Sequence, residues 1–566
     1  MRTDGRYTLG LNINLHDASA ALLRDGRLVR LVEQEKVSRR KHALGQPPTD
    51  AIRELLAAEG ITAASLEAVA VGWDLRRTPL GRSRRLTPEA LRKTLFPHDD
   101  DLTLPPLTWV PHHLAHAASA YYPSGESDAA IIVIDGAGES QCSTIAHGRD
   151  GRIEILREWP ISQSLGFFYA AASKWAGLGE WGAGKLMGLA AYGRAGGEIP
   201  LHGRPDGYEL LLPDAPPEAG SSSGIPRMGF PAAYDQAVRR AFGCHYPYAS
   251  RAGEDAIAYA DFAASVQSAL EDAVLGLATY ARERTGASAL VLAGGVGMNC
   301  SMVGRLLRSG LYDRIYVPPV PTDVGVSLGA AIVEARDAGV FTPEPIDHAY
   351  WSLGISAAQA GAAVTEAGLV SLALDEARLA ALAGDAVADG RVIAWARGNG
   401  EIGQRALGAR SLVADPRDRR TLERLNVIKG REMWRPVAPS VLHEHIGELI
   451  ATPTGSPASF MLAAGAVRPA MRQVIPAVTH VDGSARPQDV DRATNPGYWS
   501  MIDRFRQRTG VPAVVNTSLN LAGEPIVNTA AEAVDTFLRA KDIDLLILAD
   551  RVVARAPSEL PEPAEG

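Results

Sequence analysis

The 566-residue chain has few cysteines, and its net charge and hydrophobic content are in the ordinary range for a globular protein. Its three cysteines, Cys142, Cys244 and Cys300, are far apart and odd in number. They argue against a disulfide framework or a thiolate metal cluster and favour a reducing compartment. No apolar run approaches the roughly 20 residues that cross a bilayer, and the N-terminus has no apolar signal region. A net charge of −8 argues against general nucleic-acid binding. We expect a cytoplasmic protein without a membrane or nucleic-acid partner.

Lysine is also scarce, with seven lysines against fifty arginines. The two cations differ at an anion site, since the ammonium ion is a compact point charge and the guanidinium a planar fork. Lys41, Lys185 and Lys429 fall within the motifs described below. Each is therefore a candidate anion contact, with chance composition as the alternative.

The beginning of the chain contains a pattern that recurs later. Tyr7 to Ile13 predicts a strand, followed by a polar loop and a hairpin at Asp25-Gly26. A second apolar strand, Ile131 to Ile134, precedes an acidic glycine loop and a hairpin at Asp150-Gly151. The repetition predicts a duplicated domain whose acids face a central cleft. This layout resembles the actin, sugar-kinase and Hsp70-type ATPase superfamily.

Two breaks in the pattern predict the domain organisation. Residues 194–248 are rich in glycine, proline and serine, which predicts a mobile insertion over the cleft. Pro343-Glu344-Pro345 predicts a linker. We expect one domain over residues 1–345 and a second α/β domain over residues 346–566.

Two histidines and two acids form a candidate metal site. His112 and His116 are four residues apart in a helix-forming segment, so they share one helical face. Asp135 follows the second strand, and Asp323 opens a run of small residues. Two imidazoles and two carboxylates suit Fe(II), Zn or Mn. The alternative is a helix with structural histidines and an aspartate that caps a later helix.

Glycine loops supply candidate nucleotide contacts in the same domain. Gly294 and Gly295 follow a predicted buried strand, where backbone could approach a nucleotide or simply form a tight turn. Lys185 lies in a segment of small residues from Gly184 to Gly193. It could reach an anion or extend from a tightly packed helix to solvent.

Cations and hydrogen-bond donors are concentrated in the second domain. They are Arg405, Arg410, Lys429, Arg435 and Arg486, followed by Asn516 and Ser518. Arginine forks bind phosphate oxygens in pairs, and amide and hydroxyl groups complete such sites. The set predicts an anion pocket, with solvated arginines on helix faces as the alternative.

Together these motifs resemble the O-carbamoyltransferase family of antibiotic and nodulation-factor biosynthesis. The resemblance runs from the loop His16-Asp17-Ala18-Ser19 to Asn516-Thr517-Ser518. It implies an N-terminal domain similar to the tRNA threonylcarbamoyl transferase and a C-terminal domain similar to the threonylcarbamoyl-adenylate synthase. The C-terminal domain would form carbamoyl adenylate from carbamoyl phosphate and ATP. The N-terminal domain would transfer the carbamoyl group to a hydroxyl of a small-molecule acceptor.

The resemblance also implies roles for individual residues. The iron ligands would be His112, His116, Asp135 and Asp323, and His16 would be the catalytic residue of transfer. Contacts to the nucleotide or carbamoyl adenylate in the N-terminal domain would be Lys41, Gly136, Lys185, Gly294, Gly295 and Asn299. The carbamoyl phosphate and ATP site would comprise Arg405, Arg410, Lys429, Arg435, Arg486, Asn516 and Ser518, with Mg²⁺ as a candidate companion of ATP.

Other functions remain open at this point. A carbamoyl-type transfer onto tRNA would need a basic surface that the composition does not suggest. A sugar kinase would leave the C-terminal cations without a role, and a regulatory actin-like module would bind ATP without depending on carbamoyl phosphate. The acceptor, its contacts in residues 194–248 and the formation of a homodimer are left open.

Overall fold

The computed structural model describes residues 5–13, 16–77, 87–212, 232–243, 246, 253–451 and 457–560. Apart from a short segment at Pro457, the chain divides after Ile346 into two compact units. Among the described residues, no helix combines the length and apolar character that a membrane span requires.

The first unit contains twelve described strands and ten described helices. The strands are β1 (Tyr7–Asn12), β2 (Ser19–Arg24), β3 (Arg27–Glu33), β4 (Leu66–Val71), β5 (Leu107–Trp109), β6 (Asp128–Ile134), β7 (Gln141–Arg149), β8 (Arg152–Pro160), β9 (Leu201–Arg204), β10 (Gly207–Leu210), β11 (Ala289–Ala293) and β12 (Arg314–Tyr316). The helices are α1 (Gln34–Ser38), α2 (Thr49–Ala58), α3 (Pro88–Leu95), α4 (His112–Ser124), α5 (Leu165–Trp175), α6 (Ala183–Ala190), α7 (Ala232–Gly243), α8 (Ala260–Thr285), α9 (Cys300–Ser309) and α10 (Asp323–Asp337).

Two five-stranded sheets of this unit have the same topology. Their orders are β3-β2-β1-β4-β5 and β12-β11-β6-β7-β8. In each, the first strand pairs antiparallel with the next one along the chain and parallel with a strand reached through helices. The predicted duplication is therefore confirmed, and the fold is that of the actin and Hsp70-like ATPases.

Both predicted hairpins are present at the predicted residues. Asp25 and Gly26 have φ of 51° and 75°, and Asp150 and Gly151 have φ of 50° and 71°. Two consecutive residues with positive φ form the tight turn that suits the twist of paired strands. The turns set the register of β2 on β3 and of β7 on β8.

Glycine residues let α10 pack so closely against the first sheet and against α4 that their backbone atoms meet. A Cβ atom on Gly10 of β1 would lie 1.9 Å from the carbonyl oxygen of Ser327 on α10. A Cβ atom on Gly329 of α10 would lie 1.8 Å from the carbonyl oxygen of Ala115 on α4. Any larger side chain would separate these elements, so the glycines place the start of α10 beside the start of α4.

Part of the insertion over residues 194–248 is regular, which corrects the sequence-based expectation. β9 and β10 form an antiparallel hairpin. Gly207 has φ of 130°, and a Cβ on Gly276 of α8 would lie 2.2 Å from its carbonyl oxygen. The hairpin is ordered because glycines let it pack directly on α8. Residues 213–231, 244, 245, 247 and 248 of the insertion lie outside the described residues.

The second unit is an α/β structure, as predicted. Its strands are β13 (Gly354–Ile355), β14 (Val370–Ala373), β15 (Ile393–Ala396), β16 (Gly398–Asn399), β17 (Arg410–Ala414), β18 (Ala438–Leu442), β19 (Ile450–Ala451), β20 (Gly465–Val467), β21 (Ser484–Ala485), β22 (Gln488–Val490), β23 (Ala513–Ser518), β24 (Leu545–Leu548) and β25 (Arg551–Ala554). Its helices are α11 (Ala357–Glu366), α12 (Glu376–Ala388), α13 (Arg420–Ile428), α14 (Ile446–Leu449), α15 (Pro496–Thr509) and α16 (Ala530–Arg539). A mixed sheet of order β14-β25-β24-β15-β17-β23-β18-β22 forms its centre.

Candidate functional sites

Four buried side chains of the first unit converge: His112, His116, Asp135 and Asp323. Their ligand atoms all lie within 4.8 Å of one another. The two Nε2 atoms are 3.1 Å apart. They lie 3.4 and 3.8 Å from Asp135 Oδ2 and 3.6 and 3.5 Å from Asp323 Oδ1. Donors about 2.1 Å from a shared cation in a tetrahedron are ~3.4 Å apart, so the spacing suits one metal ion.

The start of α4 is positioned by groups from neighbouring loops. The backbone N–H of His112 donates to the carboxylate of Glu139, at 3.0 Å, which also accepts from the N–H of Asp74. Glu139 thus binds a free N–H at the start of the helix, where Pro111 offers no capping side chain. The Nδ1 atom of His112 lies 3.2 Å from the carbonyl of Gly72. Donation to this carbonyl directs the Nε2 lone pair of His112 toward the cluster.

Asp135 is held between the ends of two parallel strands. It follows β6, and its Oδ1 accepts a hydrogen bond of 3.0 Å from the N–H of Gly295, after β11. Gly294 has φ of 88°, and a Cβ there would lie 2.2 Å from the carbonyl oxygen of Ile134. Only glycine fits this approach, so Gly294 and Gly295 have a structural role in orienting Asp135.

The charges in the cluster are strongly coupled. Burial alone would lower the pKa of His112, but the Asp323 and Asp135 carboxylates raise it to about 10. Burial raises the pKa of Asp323, yet the His112 and His116 imidazoles hold it well below its usual range. The site therefore favours charged carboxylates and binds positive charge, as protons or as a metal ion.

His16 lies at the open side of this cluster. Its Nε2 atom is 4.0 Å from Asp323 Oδ2, and its Nδ1 atom is 3.3 Å from Asp17 Oδ2. The other oxygen of Asp17 lies 3.1 Å from Nδ1 of His42. Asp17 and His42 are non-glycine residues with φ of 50° and 61°, and the Asp17 N–H donates to the His42 carbonyl. Backbone strain of this kind is concentrated at functional sites.

The pKa of His16 reflects the same acids. Desolvation lowers it, but the hydrogen bond to Asp17 and the charges of Asp323, Asp17 and Asp135 raise it to about 9. His16 is therefore protonated at neutral pH unless another cation compensates the carboxylates.

The other predicted nucleotide contacts of this unit have varied surroundings. Lys41 is exposed, one residue before His42, and Lys185 is partly exposed on α6. The carbonyl oxygen of Gly136 accepts a hydrogen bond of 2.7 Å from Ser164 Oγ. Asn299 caps α9 through Met302 N–H and exchanges hydrogen bonds of 3.0 Å with Gln267. Because these bonds occupy its amide, Asn299 is positioned to shape the loop.

Three arginines form a cation cluster in the second unit. Burial and the charges of Arg435 and Arg486 lower the pKa of Arg431 to about 9. Burial also lowers the pKa of Arg435; the Glu432 carboxylate opposes this, and the Arg486 charge adds to it. Guanidinium groups that repel each other within a partly desolvated region favour a bound anion. The predicted residues Arg435 and Arg486 are thus brought together, and Arg431 joins them.

Lys429 is buried in a loop of oxygen acceptors. Its Nζ atom donates to the carbonyl and hydroxyl of Ser518 and to the carbonyl and side-chain oxygens of Asn520. The Oγ of Ser518 also donates to Asn520 Oδ1, at 2.6 Å. Lys429 and Ser518, both predicted site residues, are therefore in direct contact after β23, and Lys429 stabilises this loop.

Arg410 and Asn516 are engaged within the fold. The Arg410 side chain donates to the carbonyls of Arg397, Ala409, Leu353 and Gly398. The Asn516 amide donates to Ala406 O, Ser440 Oγ and Gln488 Oε1. Arg405 is partly exposed in the loop between these elements. A direct contact of Arg405, Arg410 or Asn516 with an anion stays a prediction.

Sequence reasoning missed several groups. Glu401, buried, accepts from the N–H groups of Leu407, Ala409 and Arg410 and so organises the predicted arginine loop. Arg431 belongs to the same run of cations as Lys429 and Arg435 in the sequence, but the residue assignment implied by the resemblance does not include it. Spacing along the chain does not reveal that Glu139 binds the start of α4, because the contact spans 27 residues.

The duplicated sheets give the first unit the fold of the actin-like ATPases, and its buried donor cluster is a candidate metal centre. Two family models match: "Carbamoyltransferase N-terminus" over residues 7–79, 84–204 and 232–332, and "Carbamoyltransferase C-terminus" over residues 384–555. The chain belongs to this carbamoyltransferase family, and it is an enzyme of carbamoyl transfer.

Relatives match over most of the chain. Nodulation protein NolNO of Sinorhizobium fredii is 35% identical over 96% of this chain and 80% of its own length. Nodulation protein NolO of Bradyrhizobium diazoefficiens is 38% identical over 79% of each. Full-length HypF, solved in its phosphate- and nucleotide-bound form, is 15% identical with a TM-score of 0.36 over 60% of this chain and 56% of that chain. At that score it adds nothing to the strand order described above.

Proposed function

We propose that the protein is an O-carbamoyltransferase with two half-reactions. Residues 346–566 form carbamoyl adenylate from carbamoyl phosphate and ATP. Residues 1–345 transfer the carbamoyl group to a hydroxyl of a small molecule. The observation that carries the proposal is the opposite charge of the two sites. One collects carboxylates and imidazoles, and the other collects arginines that repel one another.

The arginine cluster suits the first half-reaction. Formation of carbamoyl adenylate from ATP releases pyrophosphate, and carbamoyl phosphate must lose its own phosphate with the consumption of one water. Both leaving groups are anions that Arg431, Arg435 and Arg486 would stabilise. Mg²⁺ would accompany the ATP phosphates. Lys429, Ser518 and Asn516 would hold the loop after β23, and Arg405 and Arg410 the loop before β17.

The donor set of the first unit fits a divalent metal. His112, His116, Asp135 and Asp323 supply two nitrogens and two oxygens, a combination that suits Fe(II), Zn or Mn. Their burial and their mutual spacing leave room for one ion among them. When bound, such an ion would supply positive charge for the phosphate of the adenylate and for the attacked carbonyl.

His16 suits the transfer step. The acceptor hydroxyl must lose a proton as its oxygen attacks the carbamoyl carbon, and AMP leaves. Asp17 orients His16 through Nδ1, so that Nε2 faces the cluster. Compensation of the carboxylates by a bound cation would lower the raised pKa of His16 and leave Nε2 free to accept the proton. Lys41, Lys185 and Gly136 would contact the nucleotide around this point.

The test is an assay of the full chain with ATP, Mg²⁺ and carbamoyl phosphate, with and without hydroxyl acceptors. We expect phosphate and pyrophosphate in equal amounts, carbamoyl adenylate by mass spectrometry, and a product heavier by one carbamoyl group. ADP with a phosphorylated acceptor would instead indicate a kinase. No pyrophosphate in the presence of both substrates would contradict the first half-reaction.

A further inference from the structure

A second group of nitrogen and oxygen donors lies next to the proposed base. It consists of Asp17, Glu35 and His42, whose possible ligand atoms all lie within 4.8 Å of one another. The three residues come from the loop before β2, from α1 and from the turn after α1. None of them belongs to the cluster of two histidines and two aspartates described above, so this donor set needs an account of its own.

The distances within the group match those of neighbouring ligands on one ion. The Nδ1 atom of His42 lies 3.1 Å from Oδ1 of Asp17. Two donors that are about 2.1 Å from a shared octahedral cation and at right angles to each other are ~3.0 Å apart. Because a carboxylate only accepts, Nδ1 carries the proton of the hydrogen bond that joins these atoms. A cation that displaces this proton could be ligated by both atoms after small rotations of the two side chains.

Glu35 adds a buried carboxylate that has little compensation. The residue is 8% exposed, and its Oε2 accepts a hydrogen bond of 2.7 Å from the backbone N–H of His42. Within the described part of the chain, its other oxygen, Oε1, has no hydrogen-bond or ion-pair partner. Lys36, the next residue, pairs instead with Glu33 at 3.0 Å. A carboxylate in these surroundings favours a bound cation.

We propose that Asp17, Glu35 and His42 form a second divalent-cation site. One imidazole and two carboxylates suit Mn²⁺ or Fe(II), with water in the remaining positions. Binding would form three metal–ligand bonds and release the proton of the hydrogen bond between His42 and Asp17 to solvent. With three protein donors instead of four, this site binds more weakly than the first, so dialysis should empty it while the first ion stays. The proposal does not depend on the transfer of a carbamoyl group.

The two donor groups are connected through His16. Its Nδ1 atom is 3.3 Å from Oδ2 of Asp17, and its Nε2 atom is 4.0 Å from Oδ2 of Asp323 in the first cluster. A single imidazole thus separates the two groups, and two bound paramagnetic ions would be close enough for their unpaired electrons to interact. This interaction is a spectroscopic signature that a distant surface site would lack.

The experiment titrates the metal-stripped, full-length protein with Mn²⁺ in the absence of nucleotide and follows the free-ion signal by electron paramagnetic resonance. We expect wild type to bind two ions per chain, the second at least about tenfold more weakly than the first, with dipolar broadening when both are bound. Glu35→Gln keeps an acceptor for the His42 N–H but should bind one ion. Glu67→Gln, which neutralises an exposed acid paired with Arg6, is the matched control and should bind two.

A second variant covers the case in which Glu35→Gln does not fold. His42→Asn removes the imidazole, and asparagine tolerates the positive φ of 61° at this position. It should bind one ion at a melting temperature close to that of wild type, whereas His112→Ala should lose the tighter ion and keep the weaker one. A single ion in wild type, two ions without dipolar broadening, or two ions in a folded Glu35→Gln or His42→Asn variant would overturn the proposal. None of these results would contradict the proposed carbamoyl transfer, which is tested by its own products.

Discussion

The two charged sites of the chain are built on opposite principles. In the first unit, Asp135 and Asp323 are buried together, and imidazoles partly compensate their charge. In the second unit, burial lowers the pKa values of Arg431 and Arg435; the charge of Arg435 adds to this effect on Arg431, and the charge of Arg486 adds to it on both. The first arrangement is stabilised by a cation and the second by an anion. The charge that each site concentrates therefore indicates the charge of the ligand that it favours.

The sites also differ in how the fold supports them. The carboxylates and imidazoles of the first unit come from three separate elements that meet through glycine contacts, whereas Arg431 and Arg435 are four residues apart in one loop. The first site is thus sensitive to helix packing and the second to loop structure.

Replacement of the proposed base should separate the two half-reactions most clearly. His16→Asn removes a proton acceptor while it keeps similar size, so transfer should fall by roughly 10²–10⁴-fold. Carbamoyl adenylate should still form and accumulate, as measured by mass spectrometry, and metal content should stay unchanged. His147→Asn is a control, since His147 pairs with Asp128 at 2.7 Å elsewhere in the unit. Near-normal transfer by His16→Asn would assign the base role to another group.

Loss of a cation from the arginine cluster should impair adenylate formation and spare transfer. Arg435→Ala should lower pyrophosphate release by on the order of 10²–10³-fold, because one cation facing the leaving group is lost. The variant should still transfer the carbamoyl group from preformed carbamoyl adenylate. Arg420→Ala, which removes an exposed arginine paired with Asp418, should change neither reaction. Failure of Arg435→Ala with preformed adenylate would mean that the two activities cannot be separated.

Lys429 sharpens this test, because it differs from Arg435 in its contacts. Lys429→Ala removes the donor to the loop at Ser518 and Asn520. It should therefore lower both pyrophosphate release and melting temperature, whereas Arg435→Ala should lower only the first. Equal stability of both variants would indicate that the lysine acts on substrate alone.

Loss of one imidazole should remove the metal. His112→Ala should weaken metal binding by more than the roughly 10–100-fold typical of lost supporting contacts, since a direct donor disappears. Transfer should be lost, and adenylate formation should persist. His113→Gln is the matched control: His113 lies beside His112 on α4 but bonds Thr144, at 2.7 Å. Full metal occupancy of His112→Ala by elemental analysis would contradict the ligand assignment.

Much of this arrangement could be predicted from the sequence, because the signals were local. The turns at Asp25-Gly26 and Asp150-Gly151 revealed the duplicated strands, and the spacing of His112 and His116 placed both on one helical face. Contacts across long sequence separations could not be read. Neither the pairing of Asp17 with His42 nor the hydrogen bond between Glu139 and the start of α4 follows from helix and strand propensities or from the spacing of apolar residues. The same holds for Arg410: the sequence predicts an anion contact, but its side chain donates hydrogen bonds to four backbone carbonyls.

Metal removal should make stability depend on pH. In the metal-free fold the pKa of His112 is raised from 6.5 to about 10. Its contribution to stability is therefore fully present below pH 6.5 and lost as the pH rises to about 10. The chelated protein should melt at progressively lower temperature over this range, whereas the loaded protein should change less, because the metal replaces the protons. Parallel pH profiles with and without chelator would show that the cluster does not hold the ion.

The smallest effect should come from the helix contact that aligns the first site. Gly329→Ala places a Cβ 1.8 Å from the carbonyl oxygen of Ala115, so α10 and α4 must separate. Overpacking of this kind costs roughly 1–3 kcal/mol, and the shift moves Asp323 away from the imidazoles. We expect both melting temperature and metal affinity to fall. Gly184→Ala is the control, because a Cβ there meets nothing within 4 Å. Since alanine favours the helical conformation more than glycine does, this variant should be more stable than wild type by roughly 0.5–1 kcal/mol. Equal stability of the two variants would show that the glycine contact does not position the metal site.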